Sequence, residues 1–127
     1  MAWEAPGPDV PFAASADISA YQYCFMGMPD SSGQVTFTGA GEHILGILQN
    51  KPAAAGRGAS VRVYGVSKLV VDGNVGAIVP GDRLISDAAG KGVKGETDNN
   101  EMGAIALEAS TAAGEIISVL VIPGVRY

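Results

Sequence analysis

Glycine and proline divide this sequence into short pieces. The chain has 127 residues, of which 18 are Gly and 7 are Pro. Gly supplies the positive φ angles that tight turns need, and Pro removes a backbone donor from helices and from sheet ladders. A chain interrupted this often turns repeatedly and has little room for long helices. We therefore predict many short elements joined by turns.

The segments between the turns have the composition of β-strands, because they are short and rich in Val, Ile and aromatic residues. The expected strands are 18–28, 35–38, 43–49, 60–64, 66–71, 78–86, 102–108 and 115–122. Residues 72–74 have the sequence of a hairpin turn, and the polar stretch 94–101 is expected to be an exposed loop. This spacing predicts a mainly β fold, a small compact barrel or sandwich, with at most one helical turn near 50–56 or 110–114.

The first 17 residues differ from the rest of the chain. Three prolines within them favour an extended, polyproline-like path, yet large apolar side chains lie on the same segment. An extended segment cannot bury such side chains against itself, so they must dock on the domain, on a neighbouring subunit or on a partner, unless the terminus is frayed. We predict an extended N-terminal arm over 1–17 and a single β-rich domain over 18–127. The arm residues expected at an interface are Trp3, Pro6, Val10 and Phe12.

Two stretches of the chain resemble each other. AAG at 54–56 precedes SVRV at 60–63, and AAG at 112–114 precedes SVLV at 118–121, so both parts recur after 58 residues. This predicts a strand–loop–strand unit that is used twice, giving two similar hairpins across one small barrel. The alternative is chance similarity in a chain rich in Ala and Gly.

Charge is unevenly distributed along the chain. It has 13 acidic and 8 basic residues, a net charge of −5, and its first fifty residues contain five acids and no base. A negative field repels phosphate backbones, so we do not expect a nucleic-acid partner. The acidic part either steers the chain to a basic protein surface or serves solubility. The sequence has no apolar run long enough for a membrane span and no recognisable signal peptide, so no membrane partner is expected.

Few side chains are available for catalysis or metal binding. The chain has one His and one Cys, so neither a His-rich nor a Cys-rich metal site can form. Cys24 lies in an apolar segment and is expected to be inert packing in a protein synthesised under reducing conditions, and His43 is expected at a strand edge. The glycine-rich turns lack phosphate-loop spacing, and the acidic turns lack the calcium-loop pattern. We predict that the protein is not an enzyme and that it has no catalytic, cofactor-binding or metal-binding residue.

Four segments carry a family resemblance. They are ILGILQNKPAAAG at 44–56, VRVYGVSKLV at 61–70, VPGDRLISDAAGKG at 79–92 and MGAIALEASTAAGEIISVLVIPG at 102–124. In order and spacing these resemble the head-decoration, or capsid cement, proteins of tailed bacteriophages. That family has an "LGVLQNKP"-like segment, a "V-x-G-x-x-K" strand, a "GD-x-L" turn, "G-x-ALE" and a closing "I-x-V-L" strand. The first forty residues match it less clearly.

The resemblance implies a small β-rich, β-tulip-like body that is often trimeric. It implies a structural virion protein that binds the outer surface of the expanded capsid and stabilises contacts between major capsid subunits. The expected partners are the major capsid protein and further copies of this chain, and no cofactor is implied. The expected location is the outer capsid surface, after synthesis in the cytoplasm of the bacterial host.

The aromatic strand after the arm adds further interface candidates. Tyr21, Tyr23 and Phe25 would share one face of a strand, because side chains alternate with a period of two. We expect that face to lie in the core or at a subunit interface.

Two other functions fit a small β-module. VPGDRL resembles the turns of lipoyl-type carrier domains, which present a modifiable lysine at a hairpin tip, although Lys68 lies several residues from the 72–74 turn. A glycan-binding module would need exposed aromatic platforms, and the chain has few aromatic residues to spare from its core.

Overall fold

The computed structural model describes residues 8–95 and 100–126. Within them the chain forms ten strands and one turn of 3₁₀ helix at Ser19–Tyr21. The strands are β1 Asp9–Ala14, β2 Phe25–Met26, β3 Gln34–Val35, β4 Gly46–Leu48, β5 Gly58–Arg62, β6 Gly65–Asp72, β7 Arg83–Ser86, β8 Gly92–Lys94, β9 Glu101–Ala106 and β10 Ala113–Arg126. The predicted mainly β fold class is confirmed.

The ten strands form two units of five. The first five make a sheet in the order β2-β4-β5-β1-β3, and the last five make a closed barrel in the order β7-β9-β10-β6-β8. A bridge between Met26 and Phe37 brings the two ends of the first sheet together, so this unit is nearly closed. We call residues 9–62 the first barrel and residues 65–126 the second barrel. The two barrels have the same strand order, because adding five to each strand number of the first barrel gives the order of the second.

The pairing registers of the two barrels also agree. Residue pairs of the first barrel recur in the second after 57 or 58 residues. The matching pairs are Phe25↔Ile47 with Arg83↔Ile105, Leu48↔Val61 with Ala106↔Val119, Val10↔Val61 with Ser67↔Val119, and Ala14↔Val35 with Val71↔Gly92. The predicted repeat is therefore confirmed and extends over all five strands. Its two copies lie in separate barrels, so the expectation of one barrel crossed by two hairpins is wrong.

The same turn occurs once in each barrel. Asp30 Oδ1 accepts hydrogen bonds from the amides two and four residues later, at 2.9 and 3.0 Å. Asp87 Oδ1 accepts the equivalent pair, both at 2.9 Å. The turns are completed by Gly33 and Gly90, whose φ angles are 76° and 77°. An Asp followed three residues later by Gly is the local signal for this turn, because Asp can bond to its own backbone and Gly tolerates positive φ.

A hydrogen bond from a backbone amide to a side chain also occurs at equivalent positions in the two barrels, but the accepting group differs. The amide of Ser60 donates to Asn50 Oδ1 at 2.9 Å, and the amide of Ser118 donates to Glu108 Oε1 at 2.8 Å. Both pairs join the start of a loop to the strand that follows it. The structural requirement at this position is an acceptor oxygen, which an amide or a carboxylate supplies equally well.

Each barrel has a core built from inward-facing residues that alternate along the strands. The first core contains Ala14, Ile18, Cys24, Met26, Val35, Leu48, Ala59 and Val61. The second core contains Leu69, Val71, Ile78, Leu84, Ala104, Ala106, Ile117, Val119 and Val121, and it is joined by Phe25, Ile44 and Ile47 from the first barrel. The second core therefore extends across the joint into the first barrel, and the first core is a separate cluster.

The described part of the expected arm is a strand of the first barrel. β1 lies between β5 and β3, and Ala14 is fully buried. Val10 and Phe12 are half-buried on the inner side, whereas Pro11 between them is exposed. Pro11 faces Ser60 of β5, whose carbonyl already accepts from the Gln49 amide at 2.8 Å, and β3 pairs with β1 only further along, so the missing donor of Pro11 is tolerated. The boundary expected after residue 17 therefore cuts through a unit whose first strand begins at Asp9.

Several other elements depart from expectation. The segment 18–28 is not a continuous strand, because it starts with the 3₁₀ turn and Tyr23 has a φ of 64°. Residues 72–74 do turn, but they close no hairpin, since β6 pairs with β10 and β8. No helical turn forms at 50–56 or at 110–114. Glu101, expected in an exposed loop, is buried in β9.

Substitutions of the two equivalent glycines should differ in their effect on stability. A Cβ at Gly33 would have no neighbour within 4 Å, whereas a Cβ at Gly90 would lie 2.9 Å from the Phe25 carbonyl oxygen. We expect Gly33→Ala to lower the free energy of unfolding by about 1 kcal/mol, from positive φ alone. Gly90→Ala should lower it by about 2 kcal/mol or more, because steric overlap is added. Urea unfolding measures both values, and equal losses would contradict the inferred packing.

Candidate functional site

The joint between the barrels is centred on Phe25. The Phe25 side chain has no exposed surface, and its amide donates to the Gly90 carbonyl at 2.7 Å. Opposite it lies Gly103, where a Cβ would be 2.6 Å from a Phe25 ring carbon and 2.7 Å from Ile44. Only glycine leaves room for this contact. The joint is thus a close-packed apolar contact.

Arg62 connects the joint to the first residue of β1. Arg62 Nε and Nη2 donate to the two carboxylate oxygens of Asp9, at 2.8 and 3.1 Å. Arg62 Nη1 donates to the carbonyl of Val66, the second residue of β6, at 2.9 Å. One guanidinium therefore holds β1, β5 and the second barrel together, a use that its planar fork of donors permits.

The only histidine also lies at the joint. His43 Nδ1 is 2.5 Å from Glu101 Oε2, and the Ile44 amide donates to Glu101 Oε1 at 3.1 Å. The carboxylate is 5% exposed, whereas the imidazole is 64% exposed. His43 and Glu101 are 58 residues apart, so they occupy equivalent positions in the two barrels. The repeat offset was the one sequence signal that could have paired them.

Tyr23 lies beside the joint, whereas Tyr21 packs on the first core. The Tyr21 ring stacks on Phe37, with centroids 4.2 Å apart and an angle of 15° between the planes. The Tyr23 carbonyl accepts from the Val70 amide at 2.8 Å, and Lys68 Nζ is 5.5 Å from the centroid of the Tyr23 ring. These two contacts come from β6, and the Tyr23 amide donates to the Leu48 carbonyl of β4 at 2.7 Å, so Tyr23 connects the first barrel to the second.

The predicted interface residues are therefore divided among different environments. Trp3 and Pro6 lie outside the described residues. Val10, Phe12, Tyr21 and Tyr23 are half-buried, and Phe12 and Tyr21 pack against the first core. Phe25 is fully buried between the barrels, which is the core placement of the two expected for it. Tyr23 packs against the same cluster as Phe25, whereas Tyr21 packs against the first core.

A shallow pocket of about 270 Å³ opens on the first barrel. Its walls come from the segments 27–28 and 36–38, and Glu42 and His43 complete its rim. Met28 in this wall is 54% exposed, which is high for a large apolar side chain. The pocket leaves no signal in the sequence, because its walls come from separate segments that only the folded sheet brings together.

The first barrel also presents exposed acidic side chains. They are Asp9, Asp17, Asp30 and Glu42. Hydrogen bonds from the Ser19 hydroxyl and amide lower the pKa of Asp17, so its negative charge is retained to lower pH. The first fifty residues contain no base, but the first barrel also includes Lys51, Arg57 and Arg62, so its acids outnumber its bases only by four to three.

The described residues offer little for bond-making chemistry. Within 8–95 and 100–126, no three His, Cys, Asp or Glu side chains cluster as metal ligands would. Burial raises the pKa of the Cys24 thiol to about 11, so it is almost wholly protonated at neutral pH. In the same part of the chain, no helix is long and apolar enough to cross a membrane.

Comparison with known proteins identifies the family. Residues 6–122, which include both barrels almost completely, match the phage cement protein family. The chain belongs to this family. The cement protein is also similar in fold to a solved structure, the N base of head fiber gp8.5 from bacteriophage phi29. The TM-score is 0.63 at 16% sequence identity, covering 94% of this chain and 100% of that chain. No curated protein matches it.

Family membership confirms the predicted class of function. The cement protein is a structural protein of the phage head, and its role is to stabilise the capsid that it binds. The carrier and glycan-binding alternatives have no support among these comparisons. The surfaces of this protein that matter for its function are therefore those that contact other proteins.

The Cys24 thiol should not react in the folded protein. With a pKa near 11, about 0.1% is thiolate at pH 8, and the side chain is only 3% exposed. We expect a chromogenic disulfide reagent to modify no cysteine in native protein and one cysteine in urea. Rapid reaction of the native protein would show that the first core opens readily.

Proposed function

We propose that this cement protein binds the outer surface of the expanded capsid and clamps neighbouring major capsid subunits together. The observation that carries the proposal is the family match over 6–122. A protein that binds the expanded lattice and not the compact one stabilises the expanded lattice by mass action. No bond is made or broken in this mechanism.

We further propose that the protein acts as a homotrimer. Linked copies engage several capsid sites at once, so weak individual contacts add up through effective concentration. Synthesis in the cytoplasm of the bacterial host is compatible with the buried, unpaired thiol of Cys24, because free thiols persist in reducing compartments.

The capsid contact is proposed to lie on the first barrel, at the pocket beside Met28. This surface combines an exposed apolar side chain with the acidic residues Asp30 and Glu42 nearby. An apolar centre with a charged rim is the usual anatomy of a protein-binding patch. Its negative charge suits a basic area on the capsid, since complementary charge accelerates encounter.

Met28→Asp should weaken binding to capsids. We expect about a tenfold loss of affinity for expanded empty heads, because a carboxylate would replace the apolar centre of the contact. Co-sedimentation of the purified protein with heads measures the bound fraction. Val75→Asp is the matched control, since Val75 is 74% exposed and lies on the second barrel. If Met28→Asp and Val75→Asp bind alike, the pocket is not the contact.

The segment before β1 is proposed as a second capsid or subunit contact. Trp3 and Pro6 lie within it, whereas Val10 and Phe12 already pack in the first barrel. Deletion of residues 1–7 should leave β1 and the Arg62–Asp9 contact intact. It should still reduce the number of copies bound per phage head several-fold when the protein is present at a concentration too low to saturate the heads. Unchanged occupancy, together with an unchanged thermal midpoint, would end the proposal for Trp3 and Pro6. A deletion of 1–17 would not test it, because β1 would be lost.

A further inference from the structure

One side of the Met28 pocket is formed by a loop that also reaches the second barrel. Residues 38–43 lie between β3 and β4, and we call them the rim segment. The pocket is lined by the two ends of this segment, Thr38 at one end and Glu42 and His43 at the other. Gly41, near its middle, contacts the second barrel instead. A partner bound in the pocket would therefore lie against a segment that touches both barrels.

The sequence of the rim segment allows many conformations. It contains Gly39 and Gly41, and Gly41 has a φ of 66°. Glycine loses more conformational freedom on folding than other residues, so such a loop becomes ordered when other contacts compensate for this loss. Within the segment, the Thr38 hydroxyl donates to the His43 carbonyl at 2.7 Å, and the Glu42 amide donates to the Gly39 carbonyl at 3.3 Å. The rest of its order comes from outside the segment.

The second barrel supplies contacts to the middle of the rim segment. The Gly41 amide donates to the Ser86 carbonyl at 3.0 Å. A Cβ at Gly41 would lie 2.6 Å from Asn100 Oδ1, so the backbone of Gly41 lies directly against this side chain. The Ser86 hydroxyl is 3.4 Å from the Thr38 carbonyl oxygen. Ser86 is 1% exposed, so it contacts the segment from the buried side.

The second barrel also fixes the end of the rim segment. One carboxylate oxygen of Glu101 is bonded to the His43 ring, and the other accepts from the Ile44 amide, the first amide after the segment. A carboxylate can accept at both oxygens, and its hydrogen bonds are stronger than those of neutral acceptors. Phe37, which also lines the pocket, lies against Gly90, where a Cβ would be 3.1 Å from Phe37 Cβ. The buried Glu101 thus positions an exposed ring on the rim.

An ordered rim changes the free energy of binding. Association has to immobilise every loop that the partner touches, so a site that is already ordered binds more tightly through the same contacts. The second barrel can therefore raise the affinity for a partner that it does not touch. Because such coupling is reciprocal, a bound partner also stabilises the contacts between the rim segment and the second barrel.

We propose that the second barrel orders the Met28 pocket for capsid binding, with Ser86, Asn100 and Glu101 as positioning residues. The inference rests on the proposed capsid contact at this pocket and names what gives that contact its shape. Every residue that lines the pocket belongs to the first barrel, whereas the three positioning residues belong to the second. The second barrel thus contributes to a contact that the first barrel makes.

Removal of the Glu101 carboxylate tests the proposal. Glu101→Ala takes the acceptor from His43 and from the Ile44 amide and leaves every pocket-lining residue unchanged. We expect about a fivefold loss of affinity for expanded empty heads in co-sedimentation. In the Met28→Asp background the same substitution should cause no further loss, because the contact that Glu101 shapes is already broken. A general effect on stability would not produce this dependence on Met28.

Glu115→Ala is the matched control. Glu115 Oε1 accepts from the amides of residues 111–112, so it too is a second-barrel carboxylate that holds a loop backbone. That loop forms no part of the pocket among the residues that the structure describes. We expect Glu115→Ala to bind heads like the wild type. Thermal unfolding shows whether both variants are folded at the temperature of the binding measurement.

A covalent tie gives a comparison within one variant. A Cβ at Gly41 would lie 3.0 Å from Asn100 Cγ, so Gly41→Cys with Asn100→Cys places two thiols within bridging distance. The positive φ at position 41 is present in the reduced and the oxidised form, and Cys24 stays buried in both. In the Glu101→Ala background, oxidation should restore most of the lost affinity. The same pair is made with Glu101 intact, where the oxidised form should bind heads more tightly than the reduced form even if Glu101→Ala does not fold.

The measurements on the wild type and on Met28→Asp separate this inference from the proposed function. Wild type that ignores heads removes the capsid role, and Met28→Asp that binds like the wild type removes the pocket contact, and either result overturns the inference as well. When the wild type binds and Met28→Asp binds weakly, a folded Glu101→Ala variant that binds like Glu115→Ala would overturn the inference alone. Oxidised and reduced forms of equal affinity would do the same. The capsid contact at Met28 would then stand without support from the second barrel.

Discussion

The contact of Phe25 with Gly103 determines how the rest of the molecule is arranged. It builds residues of the first barrel into the core of the second, and it removes a large aromatic ring from water. The Arg62 and Glu101 hydrogen bonds surround this apolar centre and leave few orientations open to the barrels. Which surfaces remain exposed, and hence which can bind a capsid or a second copy, follows from this one joint.

Local sequence signals predicted the turns and several strands, because these elements depend mainly on the conformational preferences of their own residues. Glycines with positive φ punctuate the chain as expected, and β5, β6, β9 and β10 lie within or close to the predicted segments. The repeat could be detected because its two copies kept similar loops before β5 and β10. Its full extent could not, because β1 and β6 share pairing geometry but no visible sequence similarity.

Predictions failed where distant parts of the chain decide the outcome. The three prolines of the first 17 residues favour an extended arm by local rules, yet pairing with β5 and burial of Ala14 place residues 9–14 inside a sheet. Alternation predicted one face for three aromatic residues, but the positive φ of Tyr23 breaks the alternation. The Met28 pocket depends on which loops the sheet brings together, so only the family resemblance could point to binding before the structure did.

Duplication with a shared register raises a problem during synthesis, because a strand of one barrel is a geometrically acceptable partner in the other. The emerging first barrel can fold before the second is complete, and tandem units of similar design are prone to exchange strands. Gly92 opposes such exchange. A Cβ at this position would lie 2.6 Å from Leu69, while the equivalent residue in the first barrel is the buried Val35. A misplaced β3 would bring the branched side chain of Val35 to a position where even a methyl group overlaps Leu69, so this exchange would require the second core to repack.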